Sequence, residues 1–203
     1  MKRAILLAIM ALLTATTVGA QERTLFDNGS FEWDGFGGPM VAYTRFNGSD
    51  GLLVGGQGAV LINHLVYLGG GGYGLANRVG APSAMIDGQL RTMRYDLGYG
   101  GGMIGVIIKN NHLLHAAAEV MIGGGGITWT QRDMENDGHM SGDKSDGFFV
   151  VQPAAHLELN VTRWMRVDAG AGYRFVTGVT LNDLDNSDVG GPVAGLTFRF
   201  GTF

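Results

Sequence analysis

From Trp164 to Gly178 the chain changes character at every residue. Met165, Val167, Ala169, Ala171, Tyr173 and Phe175 fall on one face, and Arg166, Asp168, Gly170, Gly172 and Arg174 fall on the other. A period of two kept up over this length is the signature of an extended strand, whose side chains point alternately to opposite faces. Residues 149–161 repeat the pattern, setting Val151, Pro153, Ala155, Leu157 and Leu159 against Gln152, Ala154, His156 and Glu158. Residues 114–122 do so again, with His115 and Glu119 opposite Leu114, Ala116, Ala118, Val120 and Ile122. No stretch keeps a helical period, so the fold class is all-β.

Composition narrows the choice of β fold. Glycine supplies 36 of the 203 residues, against an average near 7%. There is no Gly-X-Y repeat and only 4 prolines, which excludes collagen, and there is no cysteine, which excludes disulfide scaffolds and thiolate zinc sites. The first twenty residues, MKRAILLAIMALLTATTVGA, join a basic start at Lys2 and Arg3 to a short apolar run and a small-residue site at Val18-Gly19-Ala20. This is the layout of a secretory signal peptide, expected over 1–20. Its apolar run is too short to span a bilayer as a helix, which needs about 20 residues. Removing Lys2 and Arg3 takes the 14 basic residues to 12 against 18 acidic ones. An acidic exported chain offers no electrostatic footprint for nucleic acid.

Eight strand-like segments follow, at roughly 37–46, 52–62, 65–76, 90–108, 113–130, 147–160, 164–178 and 190–202. Short turns at 63–64, 109–112 and 161–163 alternate with longer polar loops at 77–89, 131–146 and 179–189; the loop at 47–51 is short but sits on the long-loop side. Strict alternation of short and long connections is what a membrane barrel makes when its two rims face different compartments. The best-patterned strands carry charge on one face and apolar residues on the other. Arg94, Asp96, Glu119, Glu158, Arg166, Asp168, Arg174 and Arg199 are therefore expected to point into a lumen, four cations against four anions, together with His115 and His156. A soluble barrel needs the reverse arrangement. Aromatic residues such as Trp129, Trp164, Tyr173, Phe175, Phe198 and Phe200 lie near strand ends, where interfacial girdles belong. The expected organisation is a lead-in over 21–36 and an eight-stranded antiparallel up-and-down transmembrane β-barrel over 37–203.

At the level of this pattern the chain resembles the small eight-stranded outer-membrane barrels of Gram-negative bacteria, the group containing OmpX and the transmembrane part of OmpA. Its glycine-rich strands, such as YLGGGGYGL at 67–75, look like uncharacterised barrels of the Bacteroidota type. The resemblance implies a bacterial outer-membrane location in contact with lipid and lipopolysaccharide. It also implies a C-terminal signal read by the barrel-insertion machinery: an aromatic end preceded by apolar residues at every second position. Leu196, Phe198 and Phe200 alternate in that way, with Arg199 inward. Phe203 is out of phase, so either Phe200 is the effective end or the strand bends at Gly201.

Motifs for chemistry are weak. The runs LGGGGYG, LGYGGGMIG and IGGGGI lack the Lys-Ser/Thr and the following helix of a phosphate loop. In three neighbouring strands they mark a curved, side-chain-poor wall instead. Asp133, Glu135 and Asp137 have calcium-loop spacing, but Lys144 stands where the bidentate glutamate belongs, leaving only a weak metal candidate. His139, Ser141 and Asp143 share that loop without fixing a triad's geometry. No cofactor is expected, and nothing names an extracellular ligand. The expected function is a structural or surface-interaction barrel with a largely filled lumen. Its alternatives are a narrow channel or small-ligand barrel, then an outer-membrane hydrolase or acyltransferase, then a soluble exported barrel.

Overall fold

In the computed structural model, residues 32–77, 79–86, 89–108, 113–131, 144–181 and 184–203 are described. They form nine antiparallel strands: β1 (Trp33–Phe46), β2 (Ser49–Ile62), β3 (Val66–Leu75), β4 (Val79–Ile86), β5 (Gln89–Ile108), β6 (Leu114–Gln131), β7 (Lys144–Asn160), β8 (Met165–Thr177) and β9 (Gly191–Gly201). Eight of them close a barrel. Neighbours in sequence pair except β3 and β4; β1 pairs with β9, and β3 passes over β4 to pair with β5 and complete the ring. Closure leaves no edge in the barrel wall, so the wall's backbone ladder runs unbroken around it.

The ninth strand corrects the expected loop at 77–89. β4 folds back on the part of β5 that rises past β3, pairing Val79 with Tyr95 and Ile86 with Gln89. Pro82 and Ser83 read as turn chemistry in the sequence. A register shift between Ala81 and Ala84 takes them into a bulge, where an edge strand tolerates a proline. β1 begins at Trp33, before the expected start at 37, because Gly37 and Gly38 hide the alternation there. The loop after β8 contains one helical turn, α1 (Asn186–Val189). The signal segment 1–20, the Asp133, Glu135 and Asp137 motif and the His139, Ser141 and Asp143 group lie outside the described residues.

Two tight turns set the register. Asn47 and Gly48 have φ of +47° and +71°, and Asn63 and His64 have φ of +50° and +55°. Two successive left-handed residues make the turn whose twist matches antiparallel strands.

The glycine wall runs across β2, β3, β5 and β6. Gly70 faces Gly102, Gly71 faces Gly101 and Gly72 faces Gly100, while Gly100 also faces Gly124. Inside the barrel some glycines give room for rings to lie flat. A Cβ on Gly105 would collide with the Tyr67 ring, one on Gly125 with Phe148, and one on Gly170 with His156. A narrow barrel is filled by few side chains; here large rings on one strand cover bare backbone on the next.

The outer wall is apolar. Leu68, Ile104, Ile122, Leu157, Phe175 and Leu196 are each more than two-fifths exposed. Trp33, Trp164 and Phe200 stand near the rim that carries the chain end, and Tyr43, Phe149, Tyr173 and Phe175 stand higher up. Trp164 and Tyr173 are separated by ~30 Å of strand at ~3.3 Å per residue. At the ~40° tilt usual for such strands this is ~23 Å of height, close to the ~25 Å apolar band of membrane barrels.

Candidate functional site

Strand parity sends one face of every strand into the lumen, and there β6, β7, β8 and β9 deliver ionisable groups to one cluster. Glu158 and Asp168 are completely buried, and Arg199, His115, Arg166 and Glu119 nearly so. Glu158 is the hub. One of its oxygens accepts from Arg199 Nη1. The other lies 2.9 Å from His115 Nε2 and 3.4 Å from Arg166 Nη1. Arg199 Nη2 reaches Asp168 at 3.3 Å and Glu119 at 4.0 Å. Tyr67 donates its hydroxyl to Glu119 at 2.8 Å, and His156 Nδ1 lies 2.8 Å from Asp168 Oδ1. Each carboxylate thus has partners, the condition on which buried charge is tolerated.

Arg174 is also fully buried, but it stands apart from the carboxylates. Its Nε donates to the Val189 carbonyl at 2.9 Å and its Nη2 to Thr44 Oγ1 at 3.3 Å, while its guanidinium lies 4.9 Å from the centre of the Tyr99 ring. The bond to Val189 ties the loop after β8 into the lumen. From this level outward the interior is apolar: Phe46, Leu53, Ile127 and Val150 from the wall meet Leu181, Leu184 and Val189 from the loop. Sequence reasoning missed this half, taking 179–189 as a polar outer loop. The signal was present in Val179, Leu181, Leu184 and Val189, apolar residues spaced through an otherwise acidic stretch.

The loop is fastened by acidic side chains. Asp185 caps α1, accepting from the Ser187 amide at 2.7 Å and the Asp188 amide at 3.2 Å, while Asp188 accepts from the Asp185 amide at 2.9 Å. Asp146, at the start of β7, accepts from the amide and hydroxyl of Thr180. The hydrogen bonds from Ser187 hold the Asp185 carboxyl below its usual range, and those from Thr180 do the same for Asp146.

Two expected lumen residues are elsewhere. Arg94 and Asp96 pair at 3.2 Å on the outer face of β5, partly exposed, while Met93, Tyr95 and Leu97 between and beside them are buried. This stretch of β5 lies past the end of β3, in the hairpin with β4. Its outside therefore meets water rather than the apolar band, and the polarity of the two faces reverses.

At the opposite rim Leu196, Phe198 and Phe200 face outward and Arg199 inward. Phe203 lies outside this alternation, as its phase in the sequence implies. β9 ends at Gly201, and Phe203 turns into the mouth, stacking on Phe36 at 5.8 Å beneath the Arg166 guanidinium, 4.0 Å from its ring centre. Among the described residues no group of three or more His, Cys, Asp or Glu side chains is placed to hold a metal ion.

No known family model matches the chain, and no curated protein matches it. Solved structures do. Neisserial surface protein A, NspA, superposes with a TM-score of 0.58 at 10% identity, covering 86% of this chain and 99% of that one. The N-terminal β-barrel domain of Pseudomonas aeruginosa OprF gives 0.49 at 15% identity, covering 83% and 96%. The attachment invasion locus protein Ail of Yersinia pestis gives 0.44 at 15% identity, covering 83% and 97%. With the closed ring of strands, the match to NspA gives the chain the fold of the small eight-stranded antiparallel outer-membrane barrels.

Proposed function

We propose that the chain is an integral barrel of a bacterial outer membrane with a structural or surface-interaction role and a lumen closed to bulk flow. The observation that carries this reading is its inside-out polarity. Paired charges fill the inner face of the wall while leucine, isoleucine, valine and aromatic residues cover the outer face over about the height of a bilayer core. In water such an outer wall would be an aggregation surface far larger than monomeric proteins expose. Against lipid and lipopolysaccharide it is the stable arrangement. The outward alternation of Leu196, Phe198 and Phe200 supports a role for β9 as the segment read by the insertion machinery, with Phe200 as its last outward residue.

The filled-lumen reading rests on two successive obstructions, the charge cluster centred on Glu158 and the apolar plug tied to Arg174. What remains for contact with the surroundings is the long-loop rim. The β4–β5 hairpin there carries Met85 and Leu90 more than two-thirds exposed, and they face one another across its pairing. We assign no catalytic step to the molecule. His115 and His156 are each engaged by a carboxylate inside a closed wall.

Two measurements test the reading. Detergent-solubilised protein run with and without boiling is expected to migrate as two forms, the folded barrel resisting denaturation until heated. A protein recovered in the aqueous phase with no such shift would overturn the membrane assignment. In planar bilayers the folded protein is expected to give no steady conductance; a stable open level would favour the narrow-channel alternative.

A further inference from the structure

Between the charge cluster and the apolar plug lies a cavity of about 20 Å³, lined by Gln57, Tyr73, Glu119, Gln152, His156 and Thr197 among others. A void needs ~10–15 Å³ measured in this way to hold one water molecule, and it needs polar partners in its lining. Here both conditions are met. Gln57 Nε2 and His156 Nε2 are buried, and neither has a hydrogen-bond partner among the described residues. Their roles are complementary. His156 Nδ1 lies 2.8 Å from Asp168 Oδ1, so the proton on that nitrogen points to the carboxylate and Nε2 of the neutral ring is an acceptor. Gln57 Nε2 can only donate. One water molecule satisfies both, donating to the imidazole and accepting from the amide.

The charge count around this cavity is uneven. Glu119, Glu158 and Asp168 are three carboxylates, and among the described residues the arginines that form ion pairs with them are Arg166 and Arg199. Arg174 bonds a carbonyl and a hydroxyl instead. His115 Nε2 lies between the Arg166 guanidinium at 3.5 Å and the Glu158 carboxylate at 2.9 Å. Among the described residues the partner of the His156 ring is the Asp168 carboxylate, and no lysine or arginine bonds it. The ring shares the cavity with Asp168 from β8, Glu119 from β6, Tyr73 from β3, Gln57 from β2 and Thr197 from β9, and Arg199 from β9 lies behind Asp168 at 3.3 Å from its other oxygen. Gly170 opposite the ring leaves room that a Cβ would take, at 2.5 Å from Nδ1.

We propose that His156 is a hydrated protonation site of the lumen, holding at Nε2 a water molecule shared with Gln57 and taking up one proton to balance the third carboxylate. Proton uptake converts Nε2 from acceptor to donor; the water turns to accept from it and donates to Glu119 or Gln152 instead. No bond to carbon changes, and the proton comes from solvent. Exchange proceeds through the rim carrying Phe203, because the apolar plug closes the other end. The site thus gives the closed lumen a one-sided response to the acidity of the compartment at that rim. The proposal rests on the filled-lumen reading, whose failure would appear separately as bilayer conductance.

The test is side-chain NMR on isotope-labelled protein folded in detergent micelles, with His156→Gln and Gln57→Leu alongside. The expected result is a His156 ring carrying its proton on Nδ1 when neutral and becoming doubly protonated as the solution is acidified. Magnetisation should pass from water to the His156 ring and the Gln57 amide, and Gln57→Leu should abolish the transfer to His156. Should His156→Gln not fold, through-bond correlation from the backbone assigns the ring in the parent protein. A ring that receives no magnetisation from water, or whose protonation stays constant over the whole range in which the barrel remains folded, overturns the proposal.

Discussion

The two halves of the lumen are buried to the same degree and are filled on opposite principles. The half nearest the chain end is ionic: Glu158, Asp168, Arg199, Arg166 and His115 are held at hydrogen-bond or ion-pair distance from one another. The half nearest the long loops is apolar, with Phe46, Ile127, Val150 and Val189 in contact around the inserted loop. The difference teaches where each kind of filling is tolerated. Across the apolar band, the wall must be apolar outside, so alternation leaves polar residues inside, and these survive only as a mutually satisfied set. Past that band the outer face meets water, and the sheet returns to the pattern of a soluble protein with its apolar face inward.

That contrast can be broken most forcefully at Glu158. Replacing it with alanine leaves Arg199 and Arg166 buried without their shared acceptor, a loss of ~3–5 kcal/mol. Urea titration of folded protein in detergent, followed by the boiled-versus-unboiled gel shift, should show the midpoint fall sharply or folding fail. Arg174→Met comes next. It frees the Val189 carbonyl and Thr44, at ~1–3 kcal/mol for the unsatisfied buried groups, and the effect should be local. Limited proteolysis is expected to cut within 178–190 while the barrel stays intact; uniform destabilisation without such cutting would mean that Arg174 does not fasten the loop. Ile127→Val, equally buried in the apolar half, should cost only ~0.5–1.5 kcal/mol, the usual value for one buried methyl group. If it cost as much as Glu158→Ala, the distinction between the halves would not hold.

Much of the fold was legible because strands without glycine runs keep an unambiguous parity. In β8 every inward group, from Arg166 through Asp168 to Arg174, was placed by alternation alone. The same reasoning put Arg94 and Asp96 inside, and there it failed for a physical reason. Charge marks the lumen face only where the other face meets lipid, and no residue in β5 announces where the bilayer ends. β4 was hidden because VGAPSAMI looks like a loop until its neighbour supplies the ladder. The cavity beside His156 could not be read at all, since it depends on Gln57 arriving from β2, a strand distant in sequence from the histidine.

The smallest expected effect concerns acid, and it separates the halves by a different route. Asp185 and Asp146 are held below the usual carboxylate range chiefly by hydrogen bonds from the loop after β8, those of Ser187 to Asp185 and of Thr180 to Asp146. A group whose folded value is depressed contributes stability that is complete above its unfolded value, ~3.9 for aspartate, and is lost as the pH falls through the lower folded value. Both groups are exposed, so the effect is modest and salt-sensitive. Acidification below pH ~4 should therefore loosen α1 and the segment around Thr180 before the wall of the barrel. Amide hydrogen exchange is expected to speed up first at Thr180, Ser187 and Asp188, whose amides bond these carboxylates. In Asp185→Asn, whose side chain no longer titrates, that acid response should be confined to Thr180. A response at Ser187 and Asp188 that persisted unchanged in this variant would place its origin elsewhere in the loop.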